Sequence, residues 1–152
     1  MKNNKGSALV ETLIALGVAV LIIGAITGSV MSSLKNAEYA KKQNIASQYA
    51  QQGIELVRKK VRTNWALLIP KTYCLLEDST ELIEKEITCG LIANEFVREV
   101  KVVEDPLLGL ICSGGKEVEV KVMWTDSKCA NPLCHDVILS SCFTNHNEVT
   151  FN

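Results

Sequence analysis

Six cysteines offer the most varied chemistry in this sequence, since thiols form disulfides, bind metals or act as nucleophiles. All of them follow residue 70: Cys74, Cys89, Cys112, Cys129, Cys134 and Cys142. Six cysteines in a small acidic region are typical of a disulfide-stabilised domain in an oxidising compartment. They therefore predict a domain that lies outside the cytoplasm.

A zinc site is a second use for these residues, because the late part of the chain also contains two histidines. The residue types occur at Cys129, Cys134, His135, Cys142 and His146. The Cys-x-x-Cys spacing of common zinc knuckles is absent from this set. We therefore expect no metal and no other cofactor.

Catalysis is not indicated either. Cys134 precedes His135, but adjacent residues of a strand point to opposite faces, so the imidazole would not activate that sulfur. The glycine-rich segment 109–117 departs from the spacing of a phosphate-binding loop, and Glu117 replaces the magnesium-binding hydroxyl. We expect a protein that is not an enzyme and has no catalytic residues.

Calcium is the metal that the acidic residues would suggest. The candidate carboxylates are Glu104, Asp105 and Asp126. A calcium loop needs closely spaced Asp and Asn ligands, which this region lacks. A solvated acidic surface is the expectation.

A single carboxylate, Glu11, stands at the start of a long apolar run. Residues 12–34 carry no charge, and 23 residues of helix at ~1.5 Å each exceed the ~30 Å hydrocarbon core of a bilayer. A carboxylate deep in lipid costs roughly 2.5–3.5 kcal/mol, so Glu11 needs a partner unless it lies among the headgroups. The nearest candidate is a new N-terminal amine at Ser7, on the same chain or a neighbour.

The position of Gly6 distinguishes this run from a secretory signal peptide. A signal peptide has a shorter apolar core and a small-residue cleavage site after it. Here the small residue precedes the apolar run. Cleavage after Gly6 would leave the apolar helix attached to the protein.

Lys5, Gly6, Ser7 and Glu11, followed by the apolar helix, resemble the type III signal sequence of type IV pilins and type II secretion pseudopilins. The resemblance implies cleavage between Gly6 and Ser7 by a prepilin peptidase, and N-methylation of Ser7. It also implies that Glu11 interacts with the N-terminal amine of an adjacent subunit. The implied location is the inner membrane, with an extracytoplasmic head, and then a pilus or pseudopilus filament.

Departures from the family pattern favour a minor subunit. Ser7 stands where the family most often has phenylalanine, and Ala8 where threonine is common, which argues against a major subunit. The segments 50–58 and 124–126 are similar to those of minor pilins and minor pseudopilins. The implied partners are other pilin or pseudopilin subunits, the prepilin peptidase/N-methyltransferase and inner-membrane lipid.

Charge is distributed unevenly along the chain. Residues 35–62 carry seven basic and two acidic side chains, a net +5, whereas residues 63–152 carry seven basic and fourteen acidic, a net −7. An acidic head argues against nucleic-acid binding. The lysines that follow the apolar run would favour a cytoplasmic head. The six cysteines and the short leader argue more strongly for an extracytoplasmic head.

Periodicity predicts an α+β fold. Residues 8–63 contain no proline, and apolar side chains recur at three- and four-residue steps in their outer part, so they predict one long helix. Segments 73–77, 96–104, 117–124 and 135–143 read as strands. We expect a pilin-like antiparallel sheet with one face packed on the helix.

The length and hydrophobic content allow one membrane helix and one small domain. The segment 84–89 is ambiguous between helix and strand. The predicted organisation is a leader at 1–6, a transmembrane and filament-core helix at 7–34, an amphipathic outer helix at 35–65 and a disulfide-stabilised head at 66–152.

Strand pairing about the 125–134 loop suggests which cysteines join. Cys112 stands six residues before Val118 and would reach Cys142, while the loop itself brings two cysteines together. The expected strand neighbours are Trp124 with Val137, and Val118 with Cys142 or Phe143. The predicted bonds are Cys112–Cys142, Cys129–Cys134 and Cys74–Cys89.

Two other readings remain open. The first is a non-polymerising, single-pass anchored domain that acts as an extracytoplasmic sensor or binding module. The second places the head in the cytosol with bound zinc.

Replacing Gly6 by a bulky residue should block processing, because a prepilin peptidase requires a small residue at that position. Mass spectrometry of the membrane-extracted protein should find the wild type beginning at Ser7 and a Gly6→Leu variant uncleaved. A wild-type protein that still carries Met1 would refute the processing hypothesis.

Overall fold

The computed structural model describes residues 5–76, 81–104, 112 and 115–144, with only the backbone of residues 5–7. Its first element is a 59-residue helix, α1, Lys5–Thr63. A 3-10 turn, Trp65–Leu67, follows, and the Asn64 side chain caps it by accepting a hydrogen bond from the backbone N–H of Ala66 at 3.0 Å. The helix therefore ends where the sequence predicts, at Thr63.

Residues up to Ala40 and residues from Lys41 onward form two compact units, and α1 contributes to both. In the first unit, every side chain from residue 8 to residue 38 is exposed. In the second unit, the helix buries residues at three- and four-residue steps, the spacing of a single helical face. The buried helix residues include Ala46, Ala50, Ile54 and Val57.

The described part of the second unit contains six strands in one antiparallel sheet. The strands are β1, Thr72–Cys74; β2, Ile83–Glu84; β3, Leu91–Ile92; β4, Phe96–Glu104; β5, Lys116–Trp124; and β6, His135–Phe143. Their order is β2-β1-β4-β5-β6, and β3 pairs with one end of β4. The fold is α+β, a long apolar N-terminal helix whose outer part packs against a small antiparallel sheet.

The three long strands agree closely with the predicted segments. The bounds of β4 and β6 coincide with the prediction, and β5 begins one residue earlier. β1 covers the first part of the segment predicted at 73–77, and residue 77 lies outside the described residues. β2 overlaps the start of the ambiguous segment, and β3 was not predicted because two residues carry no periodicity.

The last hairpin is shifted by one or two residues from the expected neighbours. Trp124 pairs with His135, two residues before Val137, and Val118 pairs with Ser141, next to Cys142. The reason is that residues 125–134 all lie in the loop, outside the paired strands. The first residue of β6 can therefore pair directly with the last residue of β5.

The core lies between α1 and one face of the sheet. Val100 pairs with Val120 and Val102 with Val118, and all four side chains are buried. The helix approaches this face closely at Gly53, where an added Cβ would lie 2.8 Å from Val120 Cγ1. Only a hydrogen atom fits at that position, so Gly53 sets the helix-to-sheet distance.

Arg98 is the one charged residue among the buried side chains of the described chain, and it is 1% exposed. Its Nε donates to the carbonyl oxygen of Leu75 at 3.1 Å, and its two terminal nitrogens donate to Tyr49 and Leu76, each at 3.0 Å. Tyr49 belongs to α1, whereas the other two carbonyls follow β1. The guanidinium therefore joins the helix, the sheet and the segment after β1.

The opposite face of the sheet carries a smaller apolar cluster. Cys74, Cys89 and Val97 are buried there, and Met123 and Leu133 pack against them. One disulfide thus supplies much of the apolar surface on this face.

All six cysteines are in disulfides, and their pairing is the one that the sequence suggests. The Cα atoms of the bonded pairs are 5.2 to 5.6 Å apart, within the usual range. The bonds are Cys74–Cys89, Cys112–Cys142 and Cys129–Cys134.

Replacing Arg98 by Met should lower the free energy of unfolding by on the order of 3 kcal/mol, because several buried carbonyls lose their donor. The measurement is chemical unfolding of the detergent-solubilised protein, followed by circular dichroism. Lys101→Met, at an exposed position of the same strand, is the control and should cost less than about 0.5 kcal/mol. If both variants lost the same free energy of unfolding, the proposed importance of Arg98 would be contradicted.

Candidate functional site

The first unit presents an unusually large apolar surface. Its large hydrophobic side chains are between 51% and 74% exposed, which is far beyond what a monomeric protein usually presents to water. Helix α1 is long and apolar enough to cross a membrane, and none of its most apolar stretch is buried. These side chains are Leu9, Val10, Leu13, Ile14, Leu16, Val18, Val20, Leu21, Ile22, Ile23, Ile26, Val30, Met31 and Leu34.

Two threonine hydroxyls of this surface are satisfied within the helix. Thr12 Oγ1 donates to the carbonyl oxygen of Leu9 at 2.9 Å, and Thr27 Oγ1 donates to that of Ile23 at 2.8 Å. Such bonds allow a hydroxyl to enter an apolar environment without an outside partner. They leave Glu11 as the ionisable residue that needs one.

Glu11 is exposed near the start of α1. The apolar side chains of Val10, Ile14 and Ala15 lie beside it on the same exposed surface of the helix. Ion pairs are strong where polarity is low, so a carboxylate flanked in this way would attract a cation if hydrocarbon surrounded the helix. Any such cation would come from outside residues 8–34, which carry no basic side chain.

The predicted processing residues, Gly6 and Ser7, lie in the helical backbone of α1. They precede Glu11 by about one turn, so the three residues predicted from the sequence lie on one short stretch of helix. Their role in processing stays a prediction.

A second cluster lies in the other unit, where the 125–134 loop meets β6. His135 Nε2 is 3.1 Å from Asp126 Oδ2, and one ligand atom from each of Asp126, Cys129, Cys134 and His135 lies within 4.8 Å of the others. The imidazole also packs against the buried Trp124, with ring centroids 5.5 Å apart. The loop therefore gathers four polar residues at one end of the hairpin.

The carboxylate of Asp126 is held in its charged form. The backbone N–H of Lys128 donates to Asp126 Oδ1 at 2.7 Å, and this bond lowers the pKa of the carboxyl below its ordinary value of 3.8. Partial burial opposes the shift, and His135 adds to it. Asp126 is thus a preorganised anion beside the imidazole.

The expectation that Cys134 and His135 point apart is wrong. The strand begins at His135, so Cys134 belongs to the loop, and Leu133 before it has a positive φ of 57°. The strand rule of alternating faces does not apply across this junction. Both residues contribute to the same cluster, but the Cys134 sulfur is in a disulfide and is not a nucleophile.

The structure separates the other metal candidates among its described residues. Glu104 pairs with Lys116 at one end of the β4–β5 ladder, whereas Asp126 follows the other end. Cys142 pairs with Glu117, seven residues from His135 along β6. Asp105 and His146 lie outside the described residues.

Sequence reasoning missed two features of this unit. Nothing local in the sequence signals that three carbonyl groups would surround Arg98. The pairing of Asp126 with His135 was missed because the two residues are nine positions apart across an irregular loop. The sequence signal for this pairing was the close spacing of Asp126, Cys129 and Cys134 on either side of Pro132.

Comparison of the chain with protein-family models, with curated proteins and with solved structures finds no match.

Replacing Asp126 by Asn should destabilise the head near neutral pH and not in acid. A carboxyl whose folded pKa is lowered contributes stability above its unfolded pKa and loses it as the pH falls through the folded value. The unfolding midpoints of wild type and Asp126→Asn should therefore differ at about pH 7 and begin to converge only as the pH falls below 3.8, the ordinary pKa of the carboxyl. Ser127→Ala, at an exposed neighbouring position, should show no such convergence, and a pH-independent difference for Asp126→Asn would contradict the argument.

Proposed function

We propose that the protein is a minor pilin-like or pseudopilin-like subunit. It is processed between Gly6 and Ser7 by a prepilin peptidase, held in the inner membrane by the first part of α1, and then built into a filament. The observation that carries the proposal is the exposed apolar surface of residues 8–34 with one carboxylate near its start. Such a surface requires lipid, other apolar helices, or each of them in turn.

The apolar surface supports both stages of this function. In the membrane, the side chains contact lipid, and the threonine hydroxyls remain bonded to the helix. In a filament, equivalent helices replace the lipid around one another, so no apolar surface becomes exposed to water on transfer. The function is mechanical, and no bond in a substrate is made or broken.

Glu11 supplies the specificity that apolar packing lacks. Hydrocarbon surfaces slide past one another at little cost, whereas a carboxylate in hydrocarbon strongly favours the position at which a cation neutralises it. The N-terminal amine that processing creates at Ser7 of an adjacent subunit is that cation. The pair fixes the axial register of neighbouring subunits.

The head supports an extracytoplasmic role. Three disulfides close a small sheet domain that has one helix face to pack on, and such bonds persist in oxidising compartments. The head thus remains folded outside the inner membrane while the apolar helix carries the assembly contacts.

Replacing Glu11 by Gln should leave processing and membrane insertion intact and reduce incorporation into filaments by at least about tenfold, the effect of losing ~1.4 kcal/mol of register energy. The test compares immunoblots of sheared filaments and membranes. Glu38→Gln changes the next acidic residue along the helix, which is also exposed, and should assemble like wild type.

The same experiment separates the proposal from its rival. A wild-type protein that is processed but stays in the membrane fraction would indicate a non-polymerising anchored sensor or binding domain. A Glu11→Gln variant that assembles as well as wild type would disprove the register role while leaving the rest of the proposal standing.

A further inference from the structure

The 125–134 loop places two sulfur atoms, a ring nitrogen and a carboxylate oxygen around one point. The four ligand atoms lie within 4.8 Å of one another, and the nitrogen and oxygen are 3.1 Å apart. A tetrahedral zinc ion holds nitrogen and sulfur ligands at ~2.0–2.3 Å, so its ligand atoms are about 3.3–3.8 Å from each other. The donors therefore need to move by only about 1 Å to surround an ion.

Backbone hydrogen bonds shape this loop independently of its disulfide. The N–H of Leu133 donates to Thr125 Oγ1 at 2.8 Å, and the N–H of Cys129 donates to the carbonyl oxygen of Asp126 at 3.2 Å. The packing of His135 on Trp124 fixes the imidazole from the other side. The four donors would therefore stay close together after the sulfur–sulfur bond opened.

Two further hydrogen bonds in the loop are of the kind that surrounds the ligands of a zinc site. The N–H of Asp126 donates to Cys129 Sγ at 3.4 Å, which stabilises negative charge on that sulfur. The N–H of Lys128 donates to Asp126 Oδ1 and so orients the carboxylate, while Oδ2 faces the imidazole. Such outer contacts orient the ligands of metal sites.

The Cys129–Cys134 bond is also the most accessible of the three. Cys129 is half-buried and Cys134 is exposed, whereas Cys74, Cys89 and Cys112 are buried. Each of the other two disulfides therefore has at least one buried sulfur. A reductant should reach the loop disulfide first.

We propose that the dithiol form of this loop is a zinc site with Asp126, Cys129, Cys134 and His135 as its four ligands. Two thiolates, an imidazole and a carboxylate suit tetrahedral zinc. The disulfide and the zinc complex are alternative states of one loop, because a bonded pair of sulfurs offers no thiolate. This inference does not depend on the proposed function, since it concerns the head alone.

The exchange between the two states balances with a dithiol as reductant. The dithiol gives two electrons and two protons to the Cys129–Cys134 bond, forms its own disulfide, and leaves two cysteine thiols. Zinc then displaces one proton from each thiol and accepts electron pairs from both sulfurs, one ring nitrogen and one carboxylate oxygen. A newly made chain holds the same two thiols before any oxidation.

The test uses the full-length protein in detergent, reduced stepwise with a phosphine, and cobalt(II) as a spectroscopic substitute for zinc. Alkylation and peptide mapping should identify Cys129 and Cys134 as the first thiols released. The reduced protein should then bind one equivalent of cobalt, with a sulfur-to-cobalt charge-transfer band that zinc abolishes. The oxidised protein should give no such band.

Variants assign the ligands. The double variant Cys129→Ser with Cys134→Ser should lose the band, and His135→Asn and Asp126→Asn should each weaken cobalt binding by at least about tenfold. Asp136→Asn, next to a ligand but paired with Lys121, should bind like wild type, as should Cys74→Ser with Cys89→Ser. The proposal is overturned if another disulfide opens first, if the reduced protein binds no cobalt, or if binding survives His135→Asn and Asp126→Asn unchanged.

Discussion

The fold of the head depends on the buried guanidinium of Arg98. Five N–H groups in a rigid plane suit a site where carbonyl groups converge from several directions, which a lysine or an apolar side chain could not satisfy. One of its partners is Tyr49, in the middle of a helix, whose backbone bonds are otherwise internal. The contact therefore specifies which part of α1 lies on the sheet, and Gly53, one turn later, specifies how closely. Apolar packing alone would determine the position of the helix on the sheet, and its distance from the sheet, less well.

The distribution of apolar residues changes along α1. From Lys41 onward its apolar residues are confined to the stripe that the sheet covers, and the remaining faces are polar. Before that point apolar residues surround the whole helix, and their side chains are exposed. The change of pattern fits the surroundings of each part: the sheet covers one side of the second part, whereas no described residue covers the apolar stretch of the first. Glu11 is the one charged residue between residues 8 and 34.

Much of this fold could be predicted from sequence because it rests on local periodicity. The alternation of valines predicted the strands β4 and β5, and the absence of proline predicted the helix through Thr63. The register of the last hairpin could not be predicted, because it depends on how an irregular ten-residue loop closes. The short strands β2 and β3 form only because β1 and β4 offer edges to them. In the candidate site, Glu11 and the cysteines could be identified from the sequence. The groups that meet around Arg98 and around His135 could not, because only tertiary contacts bring them together.

The covalent connections have a consequence for proteolytic nicking. The Cys112–Cys142 bond closes a ring of chain that contains all of β5, the 125–134 loop and nearly all of β6. The Cys129–Cys134 bond closes a smaller ring inside it. A protease that cut the exposed chain between residues 130 and 133 would therefore release no fragment, because both rings would have to be opened chemically before β6 could separate. A broken peptide bond in this exposed turn would thus leave the molecule in one piece.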